Sequence, residues 1–249
     1  MEIAASFLEA RGYTVVRLVH ETIPPLDLLV LPYPATRDGV SVAGTDLPFS
    51  SLLLSPRTAL FGGRLPPSWR EGRPAADAEE NEEYLCQNAY LTAAAGVGTA
   101  LRAGERAFFR VKAAVIGYGR IGKESARMLR ALGADTAVYV RREAAKKQAE
   151  RDGFAAALLE DTSLLAESLI FGTVPAPAEN LASLCVKDDA LLYDLGGGLP
   201  PFLYTEEGVP IRVLPLRGAP GVFAPKAAGE IYGAAILDFI SKLERRATP

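Results

Sequence analysis

One stretch of the sequence decides the fold: Lys112-Ala113-Ala114-Val115-Ile116-Gly117-Tyr118-Gly119-Arg120-Ile121-Gly122. An apolar strand pattern runs there into a Gly-x-Gly-x-x-Gly turn, and an amphipathic helix pattern follows over 123–132. In such a unit the first glycine permits the sharp turn, the second lets backbone approach a pyrophosphate, and the third lets helix and strand pack closely. The start of the helix also favours a phosphate through its free N–H groups and positive dipole end. The pattern predicts a dinucleotide site made of Gly117, Tyr118, Gly119, Arg120, Ile121 and Gly122, with a glycine-rich turn that binds nothing as the alternative.

The residues that follow the next strand indicate which dinucleotide binds. The apolar segment 136–140 is followed by Arg141 and Arg142. An NAD site usually has an Asp or Glu at this strand end, about 20 residues after the first glycines, to accept hydrogen bonds from the ribose. A guanidinium cannot accept them but suits a 2′-phosphate. The arginines therefore favour NADP over NAD, unless they are only the solvated start of the charged segment 143–151.

Composition argues against several other classes of function. The chain has 249 residues, 49% of them hydrophobic, and a net charge of −3, with no basic stripe for nucleic acid. Cys86 and Cys185 lack metal-ligand spacing and are expected to be buried thiols in a reducing cytosol. The single histidine, His20, has no potential metal ligands clustered around it. No apolar run reaches the ~18 residues of a membrane span and no signal peptide is seen, so a cytoplasmic protein without a membrane partner is expected.

Helix and strand patterns alternate along the chain, which predicts an α/β fold with a doubly wound parallel sheet of the Rossmann type. We assign residues 1–86 to a smaller N-terminal α/β lobe. This lobe begins on a helix, as if the first strand of the usual pattern were missing. Residues 87–249 form a connector helix and the dinucleotide-binding domain, and the last helix, about 230–245, is expected to pack back on the first lobe. In the connector helix, the small residues at 93–100 should let a neighbouring element approach closely.

The individual elements follow from the same patterns. Helices are predicted at 3–10, 82–102, 120–132, 144–152 and 228–243, with a short one beginning at 161. Strands are predicted at 14–18, 28–31, 52–54, 58–61, 113–116, 136–140, 155–158, 169–172, 190–195 and 211–214. Residues 66–74 are expected to form an exposed loop.

Polar residues at two further strand ends are candidates for contacts with the cofactor, because ligands of such sheets lie beyond the carboxyl ends of the strands. Thr173, followed by Val174 and Pro175, could bind the ribose or carboxamide of a nicotinamide, or could simply cap a turn. Asp194 ends an apolar strand before three glycines, which suits a close ligand approach. An Asx turn is the alternative for this aspartate.

Two cations near the C-terminus are candidates for binding a substrate. Lys226 lies where the last helix should begin, and a cation there opposes the helix dipole unless an anion is bound nearby. Arg217 precedes it in a glycine-containing loop. The alternative for Lys226 is a solvated surface lysine.

Several of these segments together resemble the dipicolinate synthase A family. They are Asn88 with Thr92, Val115–Gly122, Gly172–Pro175, Tyr193–Leu195 and, most specifically, the segment Ala219-Pro220-Gly221-Val222-Phe223-Ala224-Pro225-Lys226-Ala227-Ala228-Gly229. The architecture also resembles the D-2-hydroxyacid dehydrogenases. The C-terminal half, however, lacks the histidine that this second family would use for catalysis.

The resemblance implies an NADP-linked oxidation of dihydrodipicolinate, a small dicarboxylate, to the aromatic dipicolinate stored in bacterial endospores. It also implies that the partner is a second, flavoprotein-like subunit. The sequence leaves the oligomeric state open, with a homo-oligomer among the alternatives. Where the family usually has Thr-x-Glu-Gly, this chain has Thr92-Ala93-Ala94-Ala95, so a carboxylate is missing at Ala94. A non-catalytic nucleotide-binding or regulatory protein is therefore the alternative function.

Overall fold

The structure, a computed structural model, describes residues 1–17, 25–103, 108–175, 181 and 183–247. It divides into two compact units, one of residues 1–87 with 225–249 and the other of residues 88–224. His20 and the end of the predicted strand 14–18 lie outside the described residues. The α/β class with a mostly parallel Rossmann-type sheet is confirmed.

The first unit contains a parallel three-stranded sheet with the order β1-β2-β3. Its elements are α1 (Glu2–Glu9), β1 (Leu28–Val30), β2 (Ala59–Gly62), α2 (Pro67–Arg70), β3 (Ala75–Asp77) and the C-terminal helix α7 (Pro225–Ala247). Helix α3 (Glu82–Ala103) begins in this unit and continues into the second. The helix α7 thus belongs to the first unit by its contacts, although it follows the second unit in the chain.

Helices α1 and α7 pack closely because two glycines of α7 face α1. A Cβ atom on Gly229 would lie 2.5 Å from Ile3, and one on Gly233 would lie 2.5 Å from the Phe7 ring. Beside them Tyr232 is buried, its hydroxyl donates a hydrogen bond of 2.7 Å to the carbonyl of Leu31, and its ring packs on Phe61. The core of this unit is therefore built by residues from both ends of the chain.

The segment 66–74 is not the exposed loop that the sequence predicts. It contains α2, and Trp69 within it is only 6% exposed and stacks on Phe49 with the ring centroids 4.2 Å apart. Proline is favoured in the first turn of a helix, so the pair Pro66–Pro67 can begin a helix as well as a loop. Burial of the large indole then stabilises this short helix.

Two predicted strands of the first unit are also wrong within the described residues. Residues 14–17 are not a strand, and 52–54 lies outside the sheet, directly after a short 3-10 helix at Phe49–Ser51. Strand β3 at Ala75–Asp77 was not predicted, because three residues, two of them alanine, show no apolar alternation.

The second unit is built on a nine-stranded sheet with the order β6-β5-β4-β8-β10-β12-β11-β9-β7. Its strands are β4 (Lys112–Ile116), β5 (Asp135–Val140), β6 (Ala155–Leu158), β7 (Leu164–Leu165), β8 (Leu169–Gly172), β9 (Cys185–Val186), β10 (Leu191–Asp194), β11 (Phe202–Tyr204) and β12 (Pro210–Pro215). Its helices besides α3 are α4 (Arg120–Ala131), α5 (Glu143–Arg151) and α6 (Ala219–Phe223).

The part of this sheet from β6 to β12 is parallel throughout, with the spatial order 3-2-1-4-5-6 of the doubly wound dinucleotide-binding fold. The central strands are buried on both faces, and every residue of β8 is buried, which explains their continuous apolar runs. The chain order reverses between β4 and β8, which are neighbours in the sheet, and this is the point where such folds bind ligands.

The remaining strands form an extension that the sequence did not predict. Strand β11 pairs antiparallel with β12, and the two-residue strands β9 and β7 continue from it. Strands of two residues are too short to show an alternation of apolar and polar residues in the sequence. The helix predicted to begin at 161 is wrong, because Leu159–Asp161 is a single 3-10 turn that leads into β7. The helix α7 begins at Pro225 rather than 228, and the glycine-containing loop of Arg217 leads into the short helix α6.

Two further expectations have different outcomes. The close approach at the small residues of α3 is confirmed, since a Cβ on Gly96 would lie 2.8 Å from Leu195 and one on Gly98 would lie 2.6 Å from the Phe223 ring. The expectation of buried thiols is wrong, since Cys86 is exposed on the solvent face of α3 and Cys185 is half-buried.

None of the described helices combines the length and apolar character needed to cross a membrane.

Candidate functional site

The candidate site lies at the carboxyl edge of the second unit's sheet. Strands β4, β8 and β10 are parallel and end in register, with Ile116 beside Gly172 and Gly172 beside Asp194. The loops after these strands therefore leave the sheet at one edge. The predicted cofactor segments 117–122, 173–175 and 194 all lie there.

The glycine-rich turn is tightly built at its first and third glycines. Gly117 has φ +97°, a left-handed conformation that L side chains rarely adopt, and its N–H donates to the carbonyl of Tyr139 at 2.8 Å. A Cβ on Gly122 would lie 2.2 Å from the carbonyl oxygen of Gly117. Helix α4 can therefore start this close to β4 only with a glycine at position 122.

Gly119 differs from the other two glycines, because neither packing against the protein nor its φ requires a glycine there. Its φ is −79°, which any residue can adopt, and a Cβ there would meet no heavy atom within 4 Å. It is exposed at the N-cap of the twelve-residue helix α4. Open space in front of bare backbone at a helix start fits a group with phosphates that approaches the turn.

Residues after β8 and β10 support the turn from the side. The hydroxyl of Thr173 donates to the carbonyl of Ile116 at 2.9 Å, and Val174 is buried while Pro175 is exposed. Asp194 is 5% exposed, and its Oδ1 accepts hydrogen bonds from the N–H groups of Gly196 and Gly197 at 3.2 and 2.8 Å. Asp194 thus forms the Asx turn that the sequence left as an alternative, and it shapes the loop beside the glycine-rich turn.

Within the predicted turn, Tyr118 has a packing role. Its ring is buried against Phe154, and its hydroxyl donates to Oδ2 of Asp152 at 2.8 Å. Burial is the main cause that raises the pKa of Tyr118, and the hydrogen bond to Asp152 adds to it. Ile121 also packs against this core, whereas Arg120 is exposed as the first residue of α4. The side chain of Tyr118 therefore lies away from solvent, and any cofactor contact at this position falls to its backbone.

Arg141 and Arg142 follow β5, which is the strand beside β4. Both are exposed, and within the described residues neither side chain has a hydrogen-bond or ion-pair partner. Arg142 is also the N-cap of α5. Two unpaired guanidinium groups at this strand end are available to a phosphate on the adenosine ribose.

The two predicted substrate residues belong to different units. Arg217 is exposed in the loop before α6 of the second unit, and Lys226 is exposed as the second residue of α7 in the first unit. Their predicted role in substrate binding stays a prediction.

A further polar cluster, formed by Tyr33, Arg64 and Glu79, follows the strand ends of the first unit. The sequence patterns did not single out these residues. The pair Gly62–Gly63 directly after β2 is the local signal that could have drawn attention to this edge.

Residues 98–184 match the family model described as the D-isomer specific 2-hydroxyacid dehydrogenase NAD binding domain. No curated protein matches the sequence. Among solved structures, dipicolinate synthase A chain from Bacillus subtilis is similar with a TM-score of 0.69 and 20% identity, over 90% of this chain and 81% of that chain. The corresponding dipicolinate synthase chain from Bacillus halodurans gives 0.67 and 20%, over 85% and 79%. Transhydrogenase from Sinorhizobium meliloti gives 0.54 and 18%, over 78% and 70%.

At these identities the solved structures establish the fold. Together with the family match and the strand order, they show that the second unit has the NAD-binding fold of the dehydrogenases, and its glycine-rich turn lies at the edge where that fold binds its ligand.

Proposed function

We propose that this chain is an NADP-dependent oxidoreductase of the dipicolinate synthase A type, which oxidises a dihydrodipicolinate-like dicarboxylate to the aromatic pyridine dicarboxylate. The fold likeness to the two dipicolinate synthase structures supports this proposal, as does the sequence resemblance around 219–229. A role in sporulation, a cytoplasmic location and a second, flavoprotein-like subunit belong to the same proposal.

The observation that carries the cofactor part is the open space at Gly119. A glycine that the protein needs neither for its backbone conformation nor for its packing is explained by a ligand that approaches the backbone. The N–H groups at the start of α4 would hold the pyrophosphate, and Thr173 lies next to the turn. The residues present therefore fit a dinucleotide.

The preference for NADP rests on Arg141 and Arg142. Both guanidinium groups are free of protein partners within the described residues, and no carboxylate stands at this strand end to accept a bond from a ribose hydroxyl. NAD is the alternative cofactor.

In the proposed reaction the substrate loses a hydride and a proton, and its ring becomes aromatic. The bound nicotinamide supplies the hydride acceptor, and aromatisation contributes driving force. The chain's own residues bind and orient the two reactants. Arg217 and Lys226 are proposed to hold carboxylates of the substrate, because a cation pairs with a carboxylate through charge-assisted hydrogen bonds.

Purified full-length protein tests the proposal in two steps. Titration calorimetry with NADPH and NADH should show tighter binding of NADPH. NADP and freshly generated dihydrodipicolinate should then give reduced nicotinamide, measured by its absorbance, together with dipicolinate. Binding of NADPH without turnover would instead favour a regulatory nucleotide-binding protein, for which the missing carboxylate at Ala94 is the specific observation.

A further inference from the structure

The first unit has its own cluster of polar side chains at the carboxyl edge of a parallel sheet. Strands β1, β2 and β3 end side by side, with Val30 beside Phe61 and Gly62 beside Asp77. Tyr33, Arg64 and Glu79 lie two or three residues beyond these ends. The carboxyl edge of a parallel sheet is where α/β folds place ligands, so this cluster is a candidate site in its own right.

Arg64 has an unusual backbone, with φ +55°. The carboxylate of Asp77, only 7% exposed, holds this conformation by accepting hydrogen bonds from the N–H groups of Arg64 at 3.0 Å and Leu65 at 2.6 Å. Glycine would adopt this φ without steric cost. Residues in such conformations persist where the surroundings impose them, and they are found preferentially at functional sites.

The side chain of Arg64 is fixed at one end and open at the other. Its Nε donates to Oε1 of Glu79 at 2.7 Å, and the Tyr33 hydroxyl donates to the same oxygen at 2.7 Å. Burial, followed by the bond to Glu79, raises the pKa of Tyr33 to about 12, so the phenol stays a neutral donor at physiological pH. The bond to Glu79 uses Nε, and within the described residues no other carboxylate pairs with the two Nη groups of this 63% exposed side chain.

We infer that Arg64 is a carboxylate-binding residue that takes one carboxylate of a small dicarboxylate through Nη1 and Nη2, with Glu79 and Tyr33 as positioning residues. Two parallel N–H bonds from one guanidinium match the two oxygens of a carboxylate. Glu79 neutralises part of the local charge but gives the guanidinium one orientation, which lowers the entropy lost on binding. The inference rests on the proposed function only for the identity of the dicarboxylate.

A purely structural ion pair between Arg64 and Glu79 is the competing explanation. A pair this exposed contributes little to stability. The cost of a left-handed backbone for a residue with a side chain outweighs so small a gain. A bound anion would explain why a side chain is kept at this position.

The test uses the full-length protein and dipicolinate, a stable aromatic dicarboxylate, in titration calorimetry with saturating NADP. Arg64→Gly removes the guanidinium, and glycine suits the backbone φ. Only an exposed ion pair is lost, so the unfolding temperature should stay close to that of the wild type. Its affinity for dipicolinate should fall at least about tenfold. Arg64→Lys keeps the charge but not the paired N–H groups and should bind with intermediate affinity. Arg57→Ala removes an exposed arginine before the other end of β2 and should leave the affinity unchanged.

The outcomes separate this inference from the proposed function. If Arg64→Gly is folded and its affinity for dipicolinate is within about twofold of that of the wild type, the proposed role of Arg64 is overturned. This result would leave the proposed NADP site unaffected. Wild-type protein that binds NADP but not dipicolinate also overturns it. If the wild type does not bind NADP, the proposed function fails, and the same comparison of Arg64→Gly with Arg57→Ala is made with dipicolinate alone.

Discussion

Gly122 packs directly against the carbonyl of Gly117, so close that a Cβ atom at position 122 would lie 2.2 Å from that oxygen and 2.9 Å from Oγ1 of Thr173. Three segments of the chain meet at this point: the end of β4, the start of α4 and the residue after β8. The third glycine of the turn is therefore a packing requirement of the protein, independent of any ligand.

We predict that Gly122→Ala destabilises the protein. The contact is with backbone, which cannot move without displacing the end of β4, so overpacking should cost about 1–3 kcal/mol. Denaturant unfolding followed by circular dichroism measures this change in the free energy of unfolding. Gly119→Ala is the matched control, since its Cβ meets nothing within 4 Å, and it should lose less stability than Gly122→Ala, because it gives up only the preference for glycine over alanine at a helix N-cap. Equal stabilities of the two variants would contradict the role given to Gly122.

Gly119→Val should have the opposite profile. A side chain at position 119 would extend into open space, so the fold is retained, with only the small cost of a poorer N-cap residue. It also lies where the backbone must meet the pyrophosphate, so NADP binding should be lost. Titration calorimetry of the folded Gly119→Val variant with NADPH measures the change in affinity. Unchanged affinity would show that this turn does not bind the cofactor.

The central sheet was predictable because its signals are local. Strands β4, β5, β8 and β10 are apolar runs of four to six residues, and the turn at 117–122 stands directly between a strand and a helix. These features lie within a short window of sequence, where apolar runs and glycine spacing can be read directly.

The cluster around Arg64 could not be predicted in this way. Its hydrogen bonds join residues 15 and 46 positions apart, and they come together only because three parallel strands end at one edge. The helix at Trp69 shows the same limitation, since the stacking partner Phe49 that helps to bury it lies in the separate 3-10 helix at Phe49–Ser51. Prolines and charges at 66–74 are compatible with either a loop or a helix, and tertiary packing decides between them.

Glu79 gives a prediction about the dependence of stability on pH. Burial raises the pKa of Glu79, but the hydrogen bonds from Arg64 and Tyr33 outweigh it, and the pKa is lowered below the usual 4.5. A lowered pKa contributes stability that is fully present above the unfolded-state value and is lost as the pH falls through the folded-state value. The stability advantage of the wild type over Glu79→Gln, below about 1 kcal/mol near neutral pH for so exposed a pair, should therefore shrink as the pH falls below the usual 4.5.

Urea unfolding at several pH values measures this difference. Tyr33→Phe is the control, because it removes one of the two donors that lower the pKa and should weaken the pH dependence without abolishing it. A difference between wild type and Glu79→Gln that stays constant as the pH falls would show that the hydrogen bonds do not favour the ionised carboxylate.

Lys226 is predicted to bind a carboxylate of the substrate. It is exposed as the second residue of α7, a 23-residue helix whose dipole disfavours a cation at its start in the absence of an anion. Lys226→Ala should weaken dipicolinate binding at least about tenfold, which corresponds to about 1.4 kcal/mol. Lys187→Ala removes another exposed lysine and should change nothing. If the two variants bind dipicolinate with equal affinity, Lys226 is only a solvated surface residue.

The choice between NADP and NAD depends on Arg141. It follows β5 directly, is exposed and has no partner within the described residues, so its guanidinium can pair with a 2′-phosphate at the strand end beside the glycine-rich turn. Arg141→Asp removes a charge-assisted hydrogen bond to that phosphate and places a repelling carboxylate in its position. The same carboxylate can accept bonds from the ribose hydroxyls of NAD. Affinity for NADPH should therefore fall at least about tenfold, while affinity for NADH stays the same or rises.

Arg127→Ala, which alters an exposed arginine of α4 paired with Glu124, is the control and should change neither affinity. Calorimetry with both cofactors decides the matter, because a wild type that binds NADPH and NADH equally well would show that Arg141 and Arg142 are only the solvated start of α5.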